Sequence, residues 1–169
     1  MRTAVRKVTF TAIFAGLIFV SKVFVPTPFD KAVILPQATL LTLASLILPR
    51  LGGAATATVS GLLITAWRPS FAPLSLLMSI LFGVLIDLFI NLFKAKSQNV
   101  DVRVGRLLVA TSVATALTGF VSYYVAVYAM AIMPSNPVVD AMILLGGIVS
   151  GFASGLVAIV IWKRIKHIV

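Results

Sequence analysis

The stretch "PRLGGAATATVSGLLITAW", residues 49–67, decides how many times this chain crosses a bilayer. Its apolar part, about 53–67, is short for a span, which needs ~17–25 residues. If it continued the preceding apolar segment as one long helix, every later segment would reverse its orientation. The "PRLGG" at its start argues for a break, since proline, arginine and paired glycines are turn chemistry. The positive charges supply an independent test.

Six apolar segments can be read between breakers, at about 8–25, 33–49, 53–67, 72–94, 105–133 and 137–162. The separators are "PTPFDK", "PRLGG", "RPSFAP", "KAKSQNVDVR" and "MPSNP". With six crossings and the N-terminus inside, one side holds Arg2, Arg6, Lys7, Arg50, Lys94, Lys96, Arg103, Arg106, Lys163, Arg164 and Lys166. Only Lys22, Lys31 and Arg68 of the 14 basic residues then lie on the other side. Fusing the second and third segments would move the Lys94–Arg106 cluster outward, against the positive-inside rule. Six crossings follow, with both termini cytoplasmic.

Composition agrees. The 169 residues are 60% hydrophobic and 11% charged, where a soluble domain is about 25% charged. The mean hydropathy is +1.13. The fold class is therefore an all-α integral membrane protein, a single domain of six transmembrane helices over residues 1–169. The start "MRTAVRKVTFTAIFAGLIFVSKVF" looks like a signal peptide but lacks a small-residue cleavage site, so it reads as a retained first helix. The net charge of +10 lies at segment ends, where it meets anionic lipid headgroups rather than nucleic acid.

Chemistry is sparse. There is no cysteine, so thiolate nucleophiles and zinc–thiolate sites are excluded. The one histidine, His167, lies past the last segment, and the four acids Asp30, Asp87, Asp101 and Asp140 are scattered. No metal site, cofactor site, catalytic constellation or nucleotide-binding loop can be read, so any ATP hydrolysis belongs to partner subunits.

The outer segment ends are richer. Lys31, Gln37, Trp67, Arg68, Tyr124, Tyr128, Asn136 and Asp140 gather aromatic and polar groups at one mouth, as a small-molecule pocket requires. The plainer reading of the rings is an interfacial aromatic belt, and of Asp140 a first-turn acid on helix 6. Tyr123 is rotated by about 100° from Tyr124, so the tyrosines do not all face one pocket. Lys22 reads as snorkelling outward.

Small residues mark faces for close approach. Gly147, Gly151 and Gly155 stand four apart on helix 6, a stripe for packing within the bundle. Ala12 and Gly16 form a similar pair on helix 1, read either as packing or as a docking face for a partner. Asp87, inside "LFGVLIDLFINLF", lies about 21 Å below Pro73, too deep for a ligand at the outer mouth. With Asn91 four residues on, it reads either as a polar tie to another helix, through the hydroxyls of helix 3 or 5, or as a coupling element toward a partner subunit.

This layout resembles the substrate-binding S components of energy-coupling-factor (ECF) vitamin transporters. "PRLGGAATATVSGLL" and "APLSLLMSILFGVLIDLF" are similar to the branch handling thiamine and its hydroxymethylpyrimidine precursor, with Pro73, Gly83 and Asp87 in sequence on helix 4. Helix 3 offers Thr58, Ser60 and Gly61 where that branch often has an acid, and helix 1 has Gly16 in place of a second alanine. The resemblance implies a prokaryotic plasma-membrane subunit that captures a vitamin-like small molecule under a lid, here "VPTPFDKAV". It implies a transmembrane coupling subunit and two ATPases as partners, with Ala12 and Gly16 on the docking face. The alternatives are a ligand-free membrane scaffold and a stand-alone secondary transporter or channel. The latter is disfavoured by the absence of an internal repeat.

Overall fold

Runs of Leu, Ile, Val and Ala with no proline beyond a first turn leave the backbone one good option in an apolar medium, the self-bonded helix. The computed structural model describes residues 2–24, 34–48, 51–69, 72–96, 102–129 and 137–166. Within them the chain forms α1 (Arg2–Phe24), α2 (Ile34–Ile47), α3 (Gly52–Trp67), α4 (Ala72–Leu92), α5 (Val104–Tyr124) and α6 (Pro137–Ile165). A π-helical turn, Val125–Ala129, extends α5. The one β feature among the described residues is an isolated antiparallel bridge between Lys96 and Val102.

The helices depart from the apolar segments mainly at the ends. α1 begins at Arg2 rather than near residue 8, because backbone hydrogen bonding continues through a charged turn that hydropathy does not register. Four helices are long and apolar enough to cross a membrane, over Val5–Phe24, Pro73–Leu92, Val104–Tyr124 and Val138–Ile165. α2, with 14 residues, and α3, with 16, are shorter than a span of ~17–25.

α2 and α3 are nonetheless separate helices. Leu51 has φ 43°, a left-handed conformation that no continuous helix can contain. α3 then runs antiparallel along α4. A Cβ on Gly53 would lie 2.9 Å from Asp87 Oδ1, and one on Gly61 would lie 3.1 Å from Ser79 Cβ. Gly83 returns the contact from α4, where a Cβ would come within 2.6 Å of the Gly53 carbonyl oxygen.

α5 and α6 form the other tight antiparallel pair. A Cβ on Gly147 would lie 2.6 Å from Ala116 Cα, and one on Gly151 would lie 2.6 Å from Ser112 Cα. The helix 6 stripe thus packs inside the bundle, as its spacing predicts. Ile18, Leu41, Leu46, Ile86, Ile90 and Leu107 fill the core without measurable exposure beyond 1%. Buried hydroxyls bond back to their own helices, Thr42 to the Ala38 carbonyl at 2.7 Å and Thr56 to the Gly52 carbonyl at 2.9 Å. Such back-bonding makes a buried hydroxyl tolerable where water is absent. Leu62, Leu77, Leu145 and Val149 are exposed, as an apolar outer surface facing lipid requires.

Candidate ligand-binding cleft

One end of the bundle opens between α2, α4, α5 and α6, where their small residues leave space. The cleft measures about 580 Å³, within the usual range for a small-molecule site. α1 contributes Lys22, and α2 contributes Ile34 and Gln37. The first half of α4 supplies Ser75, Met78, Ser79 and Phe82. The second half of α5 supplies Thr115, Thr118, Gly119, Ser122 and Tyr123. The first half of α6 supplies Met142, Ile143, Gly146, Gly147 and Ser150. A second groove of similar volume lies between α5 and α6, with Ser112 as its only polar side chain. It has almost nothing with which to orient a hydrophilic ligand.

Several hydroxyls in the cleft have already spent their protons. Thr115 donates to the Thr111 carbonyl at 2.7 Å, Thr118 to the Ala114 carbonyl at 2.8 Å, and Ser150 to the Gly146 carbonyl at 2.7 Å. Ser79 donates across to the Ala57 carbonyl of α3 at 2.9 Å. Their oxygens keep free lone pairs, so towards a ligand they act as acceptors. Among the described residues, no Asp or Glu lines the cleft.

Over residues 2–167 the chain matches the family model of the ECF-type riboflavin transporter S component. The chain belongs to this family. No curated protein and no solved structure gives a significant match. The S component is thus the substrate-binding membrane subunit of an ECF importer, taking a vitamin and working with a transmembrane coupling subunit and ATPases. It is a transporter subunit rather than an enzyme. The match lends no support to the thiamine branch suggested by α3 and α4.

Of the residues expected at the mouth of the S component, Gln37 lines the cleft. Trp67 instead is 63% exposed and meets Phe19 of α1 edge-on, with ring centroids 6.4 Å apart. Arg68 is exposed beside it. Tyr124 and Tyr128 pack on each other at 4.4 Å on an exposed face of α5, outside the cleft. The tyrosine that enters is Tyr123, 8% exposed. Asp140 sits in the first turn of α6, where its charge suits the helix dipole, and it does not line the cleft. Lys31, Asn136 and the lid "VPTPFDKAV" lie outside the described residues.

Lys22, read as snorkelling outward, lines the cleft instead. Thr115, Thr118 and Ser122 line it too, and their three- and four-residue spacing, a signal present in the sequence, puts them on one helix face. On α1, Ala12 is exposed and a Cβ on Gly16 would meet nothing within 4 Å. That face is open in the isolated chain.

Asp87 is 2% exposed and accepts two backbone hydrogen bonds, from Gly53 N–H at 3.0 Å and Ala54 N–H at 2.8 Å. The tie thus runs to the uncapped start of α3, not to a hydroxyl of α3 or α5 and not through Asn91. Four residues advance a helix by about 40° past a full turn, and Asn91 is exposed. Nearby, partial burial desolvates the Lys96 ammonium and lowers its pKa from the ordinary 10.5, while the Asp87 carboxylate acts in the opposite direction.

Proposed function

We propose that this S component captures a neutral, hydroxyl-rich aromatic vitamin of the riboflavin type in the cleft between α2, α4, α5 and α6. The observation that carries this reading is the described lining, acceptor hydroxyls and an amide with a lysine and, among the described residues, no carboxylate. A polyol side chain brings O–H donors to Thr115, Thr118 and Ser150, whose lone pairs are free. Phe82, Met78 and Tyr123 offer apolar surface to a flat ring system. Thiamine carries a fixed positive charge, which in a low-dielectric cleft needs a counter-charge, and the described lining offers none.

The charge asymmetry supports an orientation with both termini and the Lys94–Arg106 cluster in the cytoplasm, so that the cleft opens outward. The open Ala12–Gly16 face of α1 is the contact for the coupling subunit, since small residues let a second helix approach closely.

Titrating the purified full chain with riboflavin and following flavin fluorescence tests the ligand. Saturable quenching is expected with riboflavin and weaker binding with lumichrome, which has the ring system but no polyol. A thermal shift with thiamine and none with riboflavin would overturn the assignment.

A further inference from the structure

The end of α4 and the start of α5 gather positive charge and hold it in a defined frame. Lys96 and Val102 form the antiparallel bridge, and Arg103 N–H donates to the Ala95 carbonyl at 3.0 Å. Ala95 is fully buried beneath them. Arg106 Nη1 reaches back to the Phe93 carbonyl at 3.4 Å. Lys94 sits just past the end of α4 with φ 48°. That is a position where glycine or asparagine would suffer less strain. A lysine there places a charge at a conformational cost, the kind of feature associated with function.

Lys94, Lys96, Arg103 and Arg106 are all exposed. The segment that joins them contains one acid, Asp101, so four positive charges stand against one negative. The nearest described carboxylate, Asp87, accepts from the amides of Gly53 and Ala54 and acts on Lys96 alone of the four. Directly beside the cations lie exposed apolar side chains, Leu92 at 65% and Val109 at 49%. Cations bordering an apolar surface match the layer where lipid headgroups meet acyl chains. A soluble anion or an acidic peptide would have no use for the apolar neighbours.

We propose that Lys94, Lys96, Arg103 and Arg106, at the facing ends of α4 and α5, form a binding site for the phosphodiester headgroup of an anionic membrane lipid. Arg103 and Arg106 offer planar donor forks to phosphate oxygens, and Lys94 and Lys96 add point charges. The acyl chains lie along Leu92 and Val109. The site is separate from the vitamin cleft and does not depend on which vitamin is carried.

The test reconstitutes the full chain in nanodiscs of mixed phosphatidylglycerol and phosphatidylcholine, then transfers it to detergent and measures retained lipid by mass spectrometry. Phosphatidylglycerol is expected to be enriched, and enrichment to fall with added salt. Lys94→Gln combined with Arg103→Gln is expected to cut retained phosphatidylglycerol on the order of tenfold. Lys163→Gln combined with Arg164→Gln, at the end of α6, should leave it unchanged. Equal losses from the two pairs, or no loss from the Lys94 and Arg103 pair, would overturn the proposal. So would wild-type protein showing no preference over phosphatidylcholine, a readout that needs no variant to fold. Displacement by glycerol phosphate as effectively as by the lipid would instead assign the site to a free phosphate and equally overturn it.

Discussion

The carboxylate of Asp87 and the backbone N–H of Gly53 stand 34 positions apart in the chain and 3.0 Å apart in space. Together with the Ala54 bond, this contact makes an α4 side chain the cap of α3. α3 begins at Leu51 and Gly52, neither of which supplies a capping side chain. Its orphan N–H groups, with the positive end of the helix dipole, are met by an acid from the neighbouring helix. The cost of a deep carboxylate is thereby offset by two charge-assisted bonds.

Removing that acceptor should destabilise the bundle. Asp87→Leu leaves two buried N–H groups unpaired, at about 1–3 kcal/mol each. Asp87→Asn keeps one carbonyl acceptor and should lose roughly half as much. Thermal unfolding in detergent reads the order wild type, Asn, Leu. Indistinguishable midpoints would rule out the cap.

The α5–α6 seam should reject even one methyl group. A Cβ on Gly151 would stand 2.6 Å from Ser112 Cα and 2.7 Å from the Thr111 carbonyl oxygen, backbone atoms that cannot rotate aside. Gly151→Ala should therefore cost on the order of 1–3 kcal/mol through overpacking. Gly105→Ala, with nothing within 4 Å, should be neutral or slightly stabilising. Melting temperatures of the two variants that moved together would contradict this packing.

The tyrosines should separate in ligand binding. Tyr123→Ala is expected to weaken vitamin affinity roughly tenfold, by removing a ring from the cleft. Tyr124→Ala and Tyr128→Ala remove rings from an exposed pair and should leave the affinity close to wild type. Fluorescence titration of the three variants checks this, and a loss confined to Tyr124 or Tyr128 would move the site.

Gly16→Leu should block assembly while sparing the cleft. Among the described residues nothing lies within 4 Å of a Cβ at that position, so the monomer tolerates the side chain. A partner helix approaching α1 would not. Copurification with the coupling subunit and ATPases is expected to fall while vitamin binding persists. Undiminished copurification would remove Gly16 from the interface.

Membrane character, the six helices and the glycine stripe of α6 were all legible in the linear chain. Each follows from local pattern, namely apolar runs, breaker residues and fixed spacing, and such patterns survive without knowledge of the neighbours. Site membership was far less legible. Of the residues expected at the mouth, Gln37 lines the cleft, whereas Trp67, Tyr124 and Tyr128 are exposed outside it. Depth along a helix follows from residue number, whereas rotation about its axis depends on which helix packs where. A 100° step between Tyr123 and Tyr124 is enough to send one ring into the cleft and its neighbour outward.

The sequence by itself determined that this chain is a bundle of apolar helices with its positive charge concentrated towards one end. It also exposed Asp87 as an acid that needed a partner. Only the tertiary structure decided what that partner was. The helix cap arises because antiparallel packing of α3 on α4, through Gly53 and Gly83, brings a carboxylate to two amides that no spacing rule connects to it.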